Sequence, residues 1–146
     1  MSASLDALIF DVDGTLAETE EAHRAAFNQA FGEWDLGWRW DKPLYARLLD
    51  ITGGKERLRH FVHTHRPENS ERFDDDANII ALHKRKTAIY MDRVSGGRIA
   101  LRPGVARLLN EARAAGLTLA IATTTNLAPL QALFDGTLGR EAMGWF

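Results

Sequence analysis

The period of the apolar positions changes along the chain, and each change marks an element. Leu5–Phe10 ends in the run Ala7-Leu8-Ile9-Phe10, which predicts a short buried strand, and it stops at the polar loop Asp11-Val12-Asp13-Gly14-Thr15. From Thr19, a fair N-cap, the residues Ala22, Ala25, Ala26, Phe27, Ala30 and Phe31 recur at helical spacing, with Gly32 as the stop. Trp34, Leu36, Trp38 and Trp40 then alternate, which fits either a brief strand or a packed loop. Asp41, with Pro43 in the first turn, opens a helix carrying Leu44, Leu48 and Leu49.

Thr52-Gly53-Gly54 breaks the pattern, a helix over Lys55–His65 presents Leu58, Phe61 and Val62, and Arg66–Ser70 reads as a loop. From Phe73 to about Val94 a long amphipathic helix begins with Asp74, Asp75 and Asp76 and buries Ile79, Leu82, Ile89 and Val94. Ser95-Gly96-Gly97 is a hinge or linker. Arg102-Pro103-Gly104 starts a helix through Val105, Leu108, Leu109 and Ala112 that Gly116 closes, and Leu117–Ala122 is a second strand run ending in Thr123-Thr124-Thr125-Asn126. The order strand, helical insert, helix, strand predicts an α/β fold. Two parallel strands are joined by a crossover helix, and an all-helical subdomain is threaded in after the first strand. The expected division is a core over 1–18 and 98–146 and a helical insert over 19–97.

Length and composition narrow this picture. The 146 residues suit one domain with an inserted subdomain, and 45% hydrophobic against 26% charged residues suit a chain that buries a core. Eighteen basic and 20 acidic residues leave a net charge of -2, too weak a field to hold nucleic acid or anionic lipid by charge alone. The absence of cysteine excludes a thiolate nucleophile, a disulfide framework and a zinc-thiolate site. The start Met1-Ser2-Ala3-Ser4-Leu5-Asp6 has no basic segment followed by an apolar stretch, and no run approaches membrane-spanning length, so a cytoplasmic location is expected.

The chemistry concentrates at the end of the first strand. Two aspartates one residue apart at the carboxyl end of a strand project to the same side, and ligand sites of open α/β sheets lie off those ends. Such a pair invites a hard cation: Asp11 and the Asp13 region could hold Mg²⁺, leaving an Asp11 oxygen to attack a phosphoryl group. Asp13 would then serve the leaving group as acid and water as base. Gly14 permits close backbone approach to a phosphate, and Thr15 adds a hydroxyl.

Asp11-Val12-Asp13-Gly14-Thr15-Leu16 after an apolar strand resembles the first motif of the haloacid dehalogenase superfamily, whose phosphatases form an aspartyl-phosphate. Arg102-Pro103-Gly104-Val105 and Leu119-Ala120-Ile121-Ala122-Thr123 are similar to its crossover and second motif, and the insert resembles a C1-type cap. The resemblance implies a partial Rossmann-like parallel-sheet core with a helical cap. It also implies Asp11 and Asp13 as catalytic residues and metal ligands, and Gly14, Thr15, Thr123 and Thr124 at the phosphate. Ala17-Glu18-Thr19-Glu20-Glu21-Ala22-His23, Thr52-Gly53-Gly54-Lys55-Glu56-Arg57 and Ala122-Thr123-Thr124-Thr125 look most like the CbbY group, relatives of β-phosphoglucomutase. That group's best-known member dephosphorylates xylulose 1,5-bisphosphate, an inhibitor of Rubisco. The likeness implies that Gly53, Gly54, Lys55 and Arg57, with Glu20 near the hinge, meet the distal end of a small phosphorylated sugar.

The chain departs from the family after the second motif. It has no lysine beyond Lys86, and the tail 136–146 offers Glu141 alone in place of the family's acidic motif. Loss of one preorganised charge stabiliser typically costs about 10²- to 10³-fold in turnover. A C-terminally truncated chain is therefore expected, and a non-catalytic remnant is an alternative to a working phosphatase, as is mutase chemistry of the β-phosphoglucomutase kind.

Other patterns carry less. Taking Ile9 as the first position of an EF-hand places Asp11, Asp13, Gly14 and Glu20 at ligand or glycine positions, but the first position is apolar and the preceding segment reads as a strand. Gly53-Gly54-Lys55 lacks the upstream glycine and the hydroxyl residue of a phosphate-binding loop. His60, His63 and His65 read as surface histidines and His23 as structural. Trp34, Trp38 and Trp40 read as packing core, and Lys84-Arg85-Lys86 as a solvated helix face.

Overall fold

The structure, a computed structural model, describes residues 5–146. Met1–Ser4, which the sequence reading takes as the start of a leaderless chain, lie outside the described residues. The elements in order are β1 (Ala7–Phe10), α1 (Glu20–Glu33), α2 (Lys42–Leu48), α3 (Gly54–His65), α4 (Asp76–Ser95), α5 (Val105–Ala114), β2 (Thr118–Ile121) and α6 (Leu127–Thr137). Short 3₁₀ segments at Ser70–Phe73 and Arg140–Trp145 complete them. The chain divides into two compact units, one running to Glu20 and resuming at Met91, the other Glu21–Tyr90.

In the first unit β1 and β2 pair in parallel, with Ala7 opposite Thr118 and Phe10 opposite Ile121. Parallel neighbours cannot be joined by a hairpin, and α5 is the crossover helix the sequence predicts. Leu109, Ala112 and Leu119 form its core, with Leu8, Phe10, Val105, Leu117, Leu138, Trp145 and Phe146 packed against them. The segment after Asn126, for which the sequence predicts no element, contributes α6 and the 3₁₀ segment Arg140–Trp145. Phe146 stacks on Phe134 at 5.4 Å and meets Phe10 edge-on at 6.4 Å.

β1 is not the buried strand its apolar run predicts. Leu8 and Phe10 are half-buried while Ala7 and Ile9 are exposed, Ile9 at 72%. Successive side chains alternate between the faces of a strand, and only the Leu8/Phe10 face is packed by the helix and the tail.

The second unit is helical around an aromatic core. Trp40, Phe27 and Phe31 are fully buried, and Trp38, Tyr45, Phe61 and Phe73 nearly so. Of the two readings of the tryptophan alternation, the packed loop holds. Asn28 fixes it by donating to the Trp40 carbonyl at 2.9 Å and accepting from the Trp40 N–H at 2.8 Å. The loop buries Leu36, Trp38 and Trp40, leaving Trp34 half-exposed.

Two helix boundaries differ from expectation. Gly32 lies inside α1, and the helix closes at Asp35, which takes φ 52°. Leu36 N–H donates to the Phe31 carbonyl and Asp35 N–H to that of Gly32, both at 3.1 Å, a Schellman closure with aspartate in the left-handed position. Phe73 ends a 3₁₀ turn before α4 instead of opening that helix.

The basic triplet also differs. Lys84 and Arg85 are exposed, but Lys86 is 6% exposed. Its ammonium lies 2.8 Å from His23 Nδ1 and over the Phe27 and Tyr90 rings at 4.8 and 5.2 Å. His23 stacks on Tyr90 at 3.9 Å.

Candidate active site

The loop that follows β1 is built from alternating anchors and exposed polar groups. Val12, Leu16 and Ala17 are buried, each at 1% exposure or less, while Asp11 before them and Thr15 among them are exposed. The Val12 carbonyl accepts from the N–H groups of Thr15 (3.1 Å) and Leu16 (2.9 Å), which coils the loop. Gly14 takes φ 75°, a conformation that L side chains rarely adopt, and its N–H donates to the Ala17 carbonyl at 2.8 Å. Burying the Val12 and Leu16 side chains contributes about 1.5–3 kcal/mol each, which holds the two carboxylates of the loop at a fixed strand end.

The crossover segment clamps the same loop. Arg102 donates its backbone N–H to the Leu16 carbonyl at 2.9 Å and its guanidinium to the Gly14 carbonyl at 2.6 Å, and it pairs with Glu18 at 2.8 Å. In the sequence Arg102 reads as the start of the crossover helix, with no contact to this loop.

Asp11 and Asp13 sit in different surroundings. The exposed Asp11 carboxylate accepts from the Thr15 hydroxyl at 3.1 Å. Asp13 is half-buried: one carboxylate oxygen accepts from the Thr19 hydroxyl, and the other from the Thr125 hydroxyl at 2.7 Å. Thr125 comes from the turn after β2. There the ladder continues with Ala122 N–H donating to the Phe10 carbonyl at 2.8 Å, and the Thr125 N–H donates to the Thr123 oxygen at 3.1 Å, folding the turn back. Thr123 and Thr125 are half-buried and Thr124 is exposed.

Thus Asp11, Asp13, Gly14, Thr15 and Thr123 come together at the ends of two neighbouring strands, joined by Thr19, Thr125 and Arg102, which sequence reasoning gave no such role. A threonine six residues along or a hydroxyl across the sheet leaves no local signature. The motif's loop geometry and the Thr-rich strand end were the available clues.

As a divalent-cation site the loop offers the Asp11 carboxylate and the Asp13 region. Among the described residues no group of three His, Cys, Asp or Glu side chains converges. Mg²⁺ retains waters and is often held by one or two carboxylates plus substrate phosphate oxygens, and this donor set fits that pattern.

The remaining candidates are placed separately. Glu20 is the first residue of α1. Gly53, Gly54, Lys55 and Arg57 belong to the helical unit, where Gly53 takes φ 92° and Lys55 is exposed. A side chain at Gly54 would collide with His83 Nε2. The Arg57 guanidinium donates to the carbonyls of Leu48 (3.0 Å) and Ile51 (3.1 Å) and lies 3.4 Å from the Tyr45 hydroxyl, bracing the turn before α3.

Comparison with known proteins shows what the whole chain is similar to. The protein CbbY of the Cupriavidus necator plasmid is 54% identical over 97% of this chain, and CbbY of Rhodobacter capsulatus is 51% identical over 94%. The chain spans 56% and 59% of the lengths of those two relatives. CbbY from Rhodobacter sphaeroides, solved in complex with phosphate, superposes with a TM-score of 0.87 at 43% identity, over 98% of this chain and 61% of that one. A second structure of that protein, in complex with xylulose 1,5-bisphosphate, gives the same score at 42% identity and the same coverage. The sequence pattern of the haloacid dehalogenase-like hydrolases matches residues 5–146, and the chain belongs to that family.

Proposed function

We propose that the chain carries the catalytic loop of a Mg²⁺-dependent sugar-phosphate phosphatase acting through an aspartyl-phosphate, on xylulose 1,5-bisphosphate or a similar small phosphorylated sugar. The observation that carries this reading is the pairing of an exposed Asp11 with an Asp13 held by two hydroxyls at one strand end. The likeness to CbbY, one structure of which contains xylulose bisphosphate, supports the substrate class.

An Asp11 oxygen attacks the phosphorus, the bond from phosphorus to the sugar oxygen breaks, and protonated Asp13 gives its proton to the departing alkoxide. Water then attacks the aspartyl-phosphate while Asp13 takes its proton, which releases phosphate and restores Asp11. Gly14, Thr15, Thr123 and Thr124 are the proposed phosphate-side residues, with the Thr123 and Thr124 hydroxyls as donors to the phosphoryl oxygens and Gly14 allowing close backbone approach. A bound Mg²⁺, held by Asp11 and the Asp13 region, would neutralise phosphate charge. In the helical unit, which acts as the cap, Gly53, Gly54 and Lys55 are the proposed contacts for the distal end, with Glu20. Arg57 belongs to the same set and acts by ordering the turn it braces.

A panel of sugar phosphates assayed for phosphate release and, in parallel, for phosphate migration tests this reading. Release with Mg²⁺ and none after chelation supports it; migration without release replaces it with mutase chemistry. The exposure of Ile9 and Leu127, at 72% and 70%, favours a second reading, a chain that holds the loop but turns nothing over. Folded protein that binds an apolar dye and releases no phosphate from any ester would establish that alternative.

A further inference from the structure

We propose that Thr125 is a positioning residue for Asp13: its hydroxyl fixes the plane of the Asp13 carboxylate from across the sheet and leaves the phosphoryl group to Thr123. The inference rests on the reading of Asp13 as the acid and base above.

The geometry separates the roles of neighbouring threonines. A hydroxyl has one proton, and that of Thr125 is committed to an Asp13 oxygen at 2.7 Å. Thr123 uses an oxygen lone pair to accept the Thr125 N–H at 3.1 Å, a bond that leaves its own proton for another acceptor. The two residues differ in function because the turn places one over Asp13 and makes the other the hinge of that turn.

Fixing a carboxylate takes two bonds. One hydrogen bond leaves the group able to rotate about its Cβ–Cγ axis, whereas donors on both oxygens hold the plane. Thr19 supplies one and Thr125 the other, from positions that lie 112 residues apart along the chain in the case of Thr125. Because Asp13 and Thr125 are half-buried, water competes for these bonds less than it would at the surface.

The test uses the whole chain and three variants, Thr125→Val, Thr125→Ala and Thr125→Ser, read first by the ¹³C resonance of the Asp13 side-chain carboxyl at one fixed pH. In Thr125→Val and Thr125→Ala that resonance moves, in Thr125→Ser it returns to the wild-type position, and the Asp11 carboxyl resonance stays in place in all three. The second readout is phosphate release. Removal of the hydroxyl lowers kcat by about 10- to 100-fold with KM within about twofold, and serine restores kcat. An unmoved Asp13 resonance in folded Val and Ala variants overturns the proposal, as does wild-type kcat in either of them. If the wild-type chain itself releases no phosphate, the phosphatase reading fails. The resonance comparison still decides the placement of Asp13 by Thr125, displaced in support and unmoved against.

Discussion

His83 in α4 sits in a strongly altered environment. Burial, followed by the charges of Lys86 and Lys55, pushes its imidazole down to about 4 from an ordinary 6.5, so it is neutral in the folded protein near neutral pH. The unfolded chain takes up a proton between those values that the folded chain refuses. Stability from this group is therefore complete above about pH 6.5 and is lost as pH falls toward 4, by at most about 3 kcal/mol and less with solvent screening. The carboxylates held low by arginine partners, Glu21, Glu33 and Asp76, lose their contribution only below their own ordinary range. Thermal melts between pH 7 and 4.5 will show Tm falling, and His83→Gln will flatten that slope; an unchanged slope in the variant would disprove the assignment. Lys86 shows why such sites resist sequence reading. It stands four residues after Leu82 and three before Ile89, on the apolar stripe of its helix, but its charge and its two basic neighbours outweighed the spacing. The Asp11 loop was legible because its chemistry lies within six adjacent residues, whereas the bond from Thr125 to Asp13 exists only after the strands pair.

At the scale of elements, the start of α2 reads well because its chemistry is local. Asp41 accepts from the Leu44 N–H at 2.8 Å at the head of α2, with Pro43 in the first turn, as the sequence predicts. Asp41→Ala should cost about 1 kcal/mol, measured as a lower denaturation midpoint at unchanged slope, while Asp41→Asn stays near wild type. A variant as stable as wild type would show that the cap is not needed. Helix ends read less well, because Asp35 rather than Gly32 takes the left-handed position that closes α1. The unread helix α6 begins at Leu127 with Pro129 in its first turn, where helix N–H groups have no partner within the helix, so the proline costs no bond there. The alternation of Trp34, Leu36, Trp38 and Trp40 fitted two structures equally, and the bonds to Asn28 decide for the loop.

At the scale of the molecule, the parallel sheet of two strands buries one face under α5 and the tail and leaves Ile9 on the other. An apolar run in a parallel strand predicts burial on both faces, and the chain spans 56% of the Cupriavidus protein it matches. The open face predicts binding of an apolar fluorescent dye that Ile9→Thr weakens without loss of cooperative unfolding; equal fluorescence from both proteins would place the exposed apolar surface elsewhere. The account as a whole depends on Asp11 as the nucleophile at the end of that sheet. Mg²⁺-dependent phosphate release from xylulose 1,5-bisphosphate, compared between the chain and Asp11→Asn, tests it most directly. The account predicts release by the chain and a loss of at least about 10³-fold in the variant. No release from the folded chain, or equal release by the two proteins, would contradict it.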